Sequence, residues 1–161
     1  MTTDEALEVV VGRLLAARQL TLSVAESCTG GLIMHRLTNV AGSSAYFSGG
    51  MVVYSYAAKV KFAGVQQSTL EQFGAVSAET AGEMARGVRA AYETDLSLAV
   101  TGIAGPGGGL PNKPVGLVYI ALDSAQGTHV ERHLWQSDRE GNKARSAEAA
   151  LALLHRYLTE T

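Results

Sequence analysis

The sequence predicts a single-domain α/β fold, a sheet covered by helices. Three observations carry that expectation. Strand-like runs interleave with segments of helical spacing along all 161 residues, with no linker and no internal repeat. Two of those runs end in loops of small residues, 26–31 and 101–109, where open α/β sheets place their ligands. One domain of this length buries roughly 70% of the surface its unfolded chain exposes, enough for a sizeable core.

Thr2-Thr3-Asp4-Glu5 has a capping-box pattern and opens a helix with Leu7, Val10, Val11, Leu14 and Leu15 on its buried face. Leu20-Thr21-Leu22-Ser23-Val24 alternates as a strand and runs into Ala25-Glu26-Ser27-Cys28-Thr29-Gly30-Gly31. Leu32-Ile33-Met34-His35-Arg36-Leu37 then has helical spacing, closed by the turn formers of 39–44. Such a strand–turn–helix leaves backbone N–H groups pointing outward at the helix start, suited to anions and polar substrate oxygens. As an ordinary connection it needs only Ser27 or Thr29 as N-cap.

Met51 to Tyr54 reads as a short buried strand, followed by a helix over 55–62 and a second short one near 68–73. Ser77 caps a longer helix with Ala81, Met84, Ala85, Val88 and Tyr92 on its apolar face. Leu96 to Val100 is a strand that feeds the second small-residue loop. Val115 to Leu122 is the most continuously apolar strand and is expected near the sheet centre. Val130 to Trp135 alternates with one wetter face. The last helix starts at Asp138-Arg139-Glu140 and carries the stripe Ala147, Ala150, Leu151, Leu154 and Leu158.

A net charge of −2 with no clustering of Lys and Arg argues against a nucleic-acid binder. No apolar run approaches the roughly 20 residues that cross a membrane. The acidic N-terminus lacks the basic and apolar regions of a signal peptide, so the chain is expected in the cytoplasm. Cys28 is the only cysteine, and His35, His129, His133 and His155 are scattered, so no metal site is expected.

Two features suit chemistry. Thr101-Gly102-Ile103-Ala104-Gly105-Pro106-Gly107-Gly108-Gly109 holds five glycines and follows a buried strand directly. It has neither Walker nor dinucleotide spacing, but its N–H groups could wrap a phosphate; otherwise it is a surface loop. Tyr54 and Lys59, five residues apart across a strand-to-helix turn, could work with a nearby serine. A desolvated lysine can take a serine proton. Their plain reading is a core tyrosine and a solvated lysine.

Glu26-Ser27-Cys28-Thr29-Gly30-Gly31, Ala41-Gly42-Ser43-Ser44, Tyr54-Ser55 with Lys59, Thr101-Gly102-Ile103-Ala104-Gly105-Pro106-Gly107-Gly108 and Lys113-Pro114-Val115-Gly116 occur in that order. Together they resemble the C-terminal domain of the competence/damage-inducible protein CinA, from about Leu7 to Leu158. Stand-alone members of that family are nicotinamide-nucleotide amidohydrolases. The resemblance implies hydrolysis of the carboxamide of nicotinamide mononucleotide (NMN) to nicotinic acid mononucleotide and ammonia, without metal or cofactor. It implies Ser27, Ser44, Tyr54 and Lys59 as the catalytic group, with either serine as nucleophile. Thr29, Gly30, Thr101, Gly105, Gly107 and Gly108 become substrate contacts, and Arg139 and Arg145 the cationic partners of the phosphate. The expected partner is this small molecule, with a homo-oligomer compatible. One departure is Tyr56, where the family pattern Tyr-Ser-Asn has asparagine. The rival expectations are a nucleotide-binding module without turnover and an interaction protein of competence or DNA damage.

Overall fold

A computed structural model of the protein describes residues 4–161. Alternation along the strands sets its layers. In β1 (Leu22–Glu26), β3 (Leu96–Gly102) and β4 (Leu117–Ser124), Val24, Leu98 and Ile120 face one side while Ala25, Ala99 and Ala121 face the other. The first side is covered by α1 (Leu7–Ala17), α2 (Leu32–Thr38) and α6 (Arg139–Glu160), which bury Leu15, Ile33, Leu37, Leu151 and Leu154 completely. The second is covered by α3 (Tyr56–Ala63), α4 (Gln67–Phe73) and α5 (Ala78–Tyr92), through Ala63, Leu70, Met84, Ala85 and Val88.

Ala25, Ala99 and Ala121 pair in one row across three strands. Because their side chains are short, α5 lies close to the sheet. The Ser23 and Ser97 hydroxyls donate to the carbonyls of Val88 and Ala85 at 3.3 and 2.6 Å, which satisfies these strand hydroxyls against the helix.

The sheet has the order β2-β1-β3-β4-β5, with β2 (Phe47–Val52) and β5 (Gly127–Leu134) at the edges. β1 is parallel to β2 and β3; β4 and β5 are antiparallel. β1 leads into α2 on one face, whereas β2 leads into α3, α4 and α5 on the other before the chain returns as β3 beside β1. That reversal opens a crevice beyond the carboxyl ends of β1 and β3.

Most expected elements are present, with four differences. The central place belongs to β3, and the apolar strand β4 lies beside it, flanked by β3 and β5. β2 begins four residues earlier than its apolar run. It includes Gly49 and Gly50 because a Cβ on Gly50 would overlap the Val24 carbonyl oxygen. α1 begins after Ala6 with no side-chain cap, and Thr2 of the expected capping box lies outside the described residues. α2 has Gly31 at its N-cap, so neither Ser27 nor Thr29 fills that role.

Among the described residues no helix is long and apolar enough to cross a membrane. His129 and His133 both lie on β5, where His133 stacks on Trp135 and meets Glu131 at 3.0 Å. No group of three or more metal-ligating side chains occurs among the described residues.

Candidate active site

The residue that ends β1, Glu26, is completely buried, and this fixes the turn after it. Its carboxylate accepts from the N–H groups of Ile33 and Met34, both at 3.0 Å. The first turn of α2 is therefore neutralised by the protein itself. This corrects the expectation that the helix start offers open N–H groups to an anion. Glu26 instead ties strand to helix and holds the five residues between them.

Ser27 follows at once. Its own N–H donates to the Val100 carbonyl at 3.0 Å, so the turn is also bound to β3. Its hydroxyl lies 3.0 Å from the Lys59 Nζ. Lys59 reaches it because Ser55 caps α3, accepting from the Ala58 N–H, which starts the helix one turn before Lys59. The lysine is only 1% exposed. Its Nζ also contacts the carbonyls of Val53 and Tyr54 at 2.9 and 3.2 Å. Nitrogen in a neutral amine has two N–H bonds and one lone pair. With the two carbonyls accepting the N–H bonds, the lone pair is left facing the Ser27 hydroxyl.

Burial lowers the Lys59 pKa from its ordinary 10.5 to about 8, against a smaller opposing influence of the Cys28 thiol. Among the described residues no carboxylate holds the ammonium, and at one pH unit below that pKa about a tenth of the amine is neutral. Cys28 itself is buried and its thiol is pushed up to about 12, which keeps it inert beside the serine.

Ser27, Cys28, Tyr54, Lys59, Ala75, Val76, Thr101, Gly102, Ala104 and Arg139 line a cavity of about 170 Å³. Thr101 is buried, and its hydroxyl donates to the Ala75 carbonyl at 2.8 Å, drawing the loop before α5 over the crevice. At the mouth, Arg139 donates to the Gly105 carbonyl at 2.7 Å and to the Tyr54 hydroxyl at 3.0 Å. The guanidinium is thereby fixed by groups that carry no negative charge. The cavity contains cations and no free carboxylate, so it suits an anionic ligand.

The structure thus brings Ser27, Tyr54, Lys59, Thr101 and Arg139 together. Ser44 stands elsewhere. It is exposed in a single 3₁₀ turn, Ser43–Ala45, before the start of β2, whereas the cavity lies beyond that strand's end. Six residues of strand separate the two places by roughly 20 Å. Arg145 is exposed and does not line the cavity.

Gly107 and Gly108 are exposed in the outer part of their loop, away from the cavity lining. Gly105 has φ +85° and packs where a Cβ would overlap Val115. Its contribution to the site is the carbonyl that holds Arg139. Gly107 has ordinary φ and open space beside it. Gly107→Ala should therefore shift stability by no more than about 0.5 kcal/mol. Gly105→Ala should cost about 2 kcal/mol and release Arg139. Thermal denaturation of the two variants checks the difference, and equal melting temperatures would contradict it.

Lys143 was not singled out by the sequence reading, yet its Nζ stands 3.6 Å from where a Cβ on Gly30 would be. Helical phase could have found it. Position 143 is four residues after Arg139 and shares its face of α6, whereas position 145 is turned away by about 120°.

The chain matches the family model described as the CinA C-terminal domain over residues 4–158. A competence-damage inducible protein of Moorella thermoacetica is 57% identical over 157 residues, covering 98% of this chain and 38% of the relative. A CinA-like protein of Syntrophus aciditrophicus is 51% identical over 156 residues, covering 96% and 37%. The chain thus spans well under half the length of these curated relatives. Among solved structures, a CinA superfamily protein of Klebsiella pneumoniae superposes with a TM-score of 0.93 at 33% identity, covering 96% of this chain and 97% of that one. The competence/damage inducible protein CihA of Agrobacterium tumefaciens gives a TM-score of 0.88 at 38% identity, covering 99% of each. With the family model, the relatives and the solved structures all matching over nearly the whole chain, this chain belongs to the CinA C-terminal domain family.

Proposed function

We propose that the protein is an amidohydrolase that converts NMN to nicotinic acid mononucleotide and ammonia, with Ser27 as nucleophile and Lys59 as its base. The observation that carries this reading is the buried contact of 3.0 Å between Ser27 Oγ and Lys59 Nζ, with two carbonyls aiming the amine.

In the first step neutral Lys59 takes the Ser27 proton as Oγ attacks the carboxamide carbon. The carbonyl π pair moves to oxygen, and the N–H groups of Cys28 and Thr29, which lie in the turn that carries Ser27 and donate to no other residue among the described ones, stabilise that oxyanion. Collapse breaks the C–N bond, and Lys59 returns its proton to the leaving nitrogen, which departs as ammonia. A water then adds to the Ser27 ester with Lys59 again taking the proton. Cleavage of the ester bond releases the carboxylic acid and restores the serine. The cationic mouth suits an anionic nucleotide, and Tyr54 and Arg139 there hold the substrate in line with Ser27.

Purified protein incubated with NMN should release ammonia and nicotinic acid mononucleotide in equal amounts. Binding of NMN without ammonia would favour a nucleotide-binding module. Neither binding nor turnover would leave the interaction-protein alternative. Because the base must be neutral, kcat/KM should rise about tenfold per pH unit below the Lys59 pKa and level off above about 8. A rate that is flat from pH 6 to pH 9 would remove Lys59 from the role of base.

A further inference from the structure

The turn that carries Ser27 lies between two amines. Lys59 approaches its hydroxyl from α3. Lys143 approaches Gly30 from α6, one turn after Arg139. Lys143 has no hydrogen-bond or ion-pair partner among the described residues, although α6 carries acidic side chains that pair elsewhere, such as Glu148 with Arg36. A lysine amine that is half-buried, unpaired and set over a bare glycine is poorly explained by packing.

Three features show what lies beneath it. Gly30 has φ +63° and no side chain, so the backbone is uncovered there. The neighbouring Thr29 is 1% exposed, and its hydroxyl oxygen has no hydrogen-bond partner among the described residues, an unmet polar group in the same turn. The fields of both lysines also reach Cys28, where each opposes the rise in the thiol's pKa. The two amines therefore flank one short turn rather than two separate places.

Resting on the proposed NMN reading, we infer that Lys143 is the residue that recognises the substrate's phosphate, seating it over Gly30 while Lys59 and Ser27 hold the amide. Arg139, fixed at the mouth by Tyr54 and Gly105, guides the nucleotide between the two ends. The glycines at 107 and 108 take no part in this. Lys143 is a specificity-determining residue: it separates a nucleotide from the corresponding nucleoside.

The test compares NMN with nicotinamide riboside, which has the same amide and no phosphate, in wild type, Lys143→Ala and Lys143→Arg. Removing one charged contact to a phosphate should cut the preference for NMN over the riboside by about 10- to 100-fold, expressed in KM more than in kcat. Lys143→Arg keeps a cation there and should retain most of the preference. An equal loss on both substrates, or no loss on NMN, would overturn the assignment. Calorimetric binding of NMN and riboside to Ser27→Ala protein reads the same selectivity without turnover. Failure of the hydrolysis reading is therefore separable from failure of the phosphate assignment. If the Ser27→Ala protein binds the two ligands equally, or if Lys143→Ala leaves its NMN preference intact, Lys143 is not the phosphate residue.

Discussion

Ser27→Ala and Lys59→Arg should each lower kcat for NMN hydrolysis by about 10³- to 10⁴-fold, and the double variant should be little worse than either. The non-additivity is the informative part. Once either member of the pair is gone, the other has nothing to act with, so their losses cannot multiply. Arginine is the sharper substitution because it keeps charge and length but stays protonated at any working pH. An arginine variant with near wild-type rate, or a double variant whose loss is the product of the singles, would end the Ser–Lys mechanism.

A third variant, Lys59→Met, shows that the loss is chemical. The amine's pKa is about 8 in the folded protein against its ordinary 10.5. The unfolded chain therefore binds more protons between those values, and stability rises with pH across that window. Below about pH 8 the penalty is fully present, at about 3 kcal/mol for a shift of this size. Methionine removes the buried charge, although it leaves the carbonyls of Val53 and Tyr54 without their donor. At pH 7 the inactive Lys59→Met protein should be at least as stable as wild type in denaturant titration. A marked destabilisation would mean that the lysine holds the fold together.

Gly87→Ala should be among the most damaging substitutions outside the cavity. Gly87 lies on α5 where it crosses α3, and a Cβ there would overlap the Ala63 carbonyl oxygen and stand 2.5 Å from its carbon. Backbone cannot turn aside as a side chain can, so the helices must separate. The expected cost is about 2–3 kcal/mol, a fall of roughly 5–10 °C in Tm for a chain of this size. Ala63 is one turn beyond Lys59 on α3, so the same separation draws the amine off Ser27. Misplacement by about 1 Å can cost on the order of 100-fold in rate. Gly82 in the same helix offers the contrast. A Cβ there meets the flexible end of Arg86 at 3.2 Å and the Thr128 methyl at an ordinary 3.7 Å. Gly82→Ala should be neutral or mildly stabilising, since alanine is the better helix former. If the two variants melt alike, the α3–α5 crossing is not as tight as described.

The layered fold and the two strand-end loops were legible because both rest on local patterns. Apolar periodicity and glycine density survive in one dimension. The contact between Ser27 and Lys59 was less so, since it spans 32 residues and depends on β2 pairing with β1 so that Val52 lies beside Glu26. Gly49 and Gly50 hid the first half of β2, because glycine reads as a turn until one sees Met34 and Tyr92 packed over it. Ser44, ten residues before Tyr54 in the chain, is set apart from it because β2 lies between them. Glu26 was noticed as a carboxylate, but its role depends on α2 folding back over it, a tertiary event with no local signature. The choice of Arg145 over Lys143 is different in kind. Helical phase was available in the sequence and favours 143.

The site draws its parts from two separable stretches. The proposed nucleophile and base come from the turn after β1 and from α3, whereas Arg139 and Lys143 both arise within the first five residues of α6. The apolar core of the domain is served by the remainder of that helix, from Ala147 onward, and of the first five residues only Asn142 is buried, donating to the Ala104 carbonyl. Under the proposed reading, the sequence of one helical turn can drift, changing which anion is admitted, while the amide chemistry and the fold are inherited intact. A scaffold divided in this way is well placed to diversify by substrate choice.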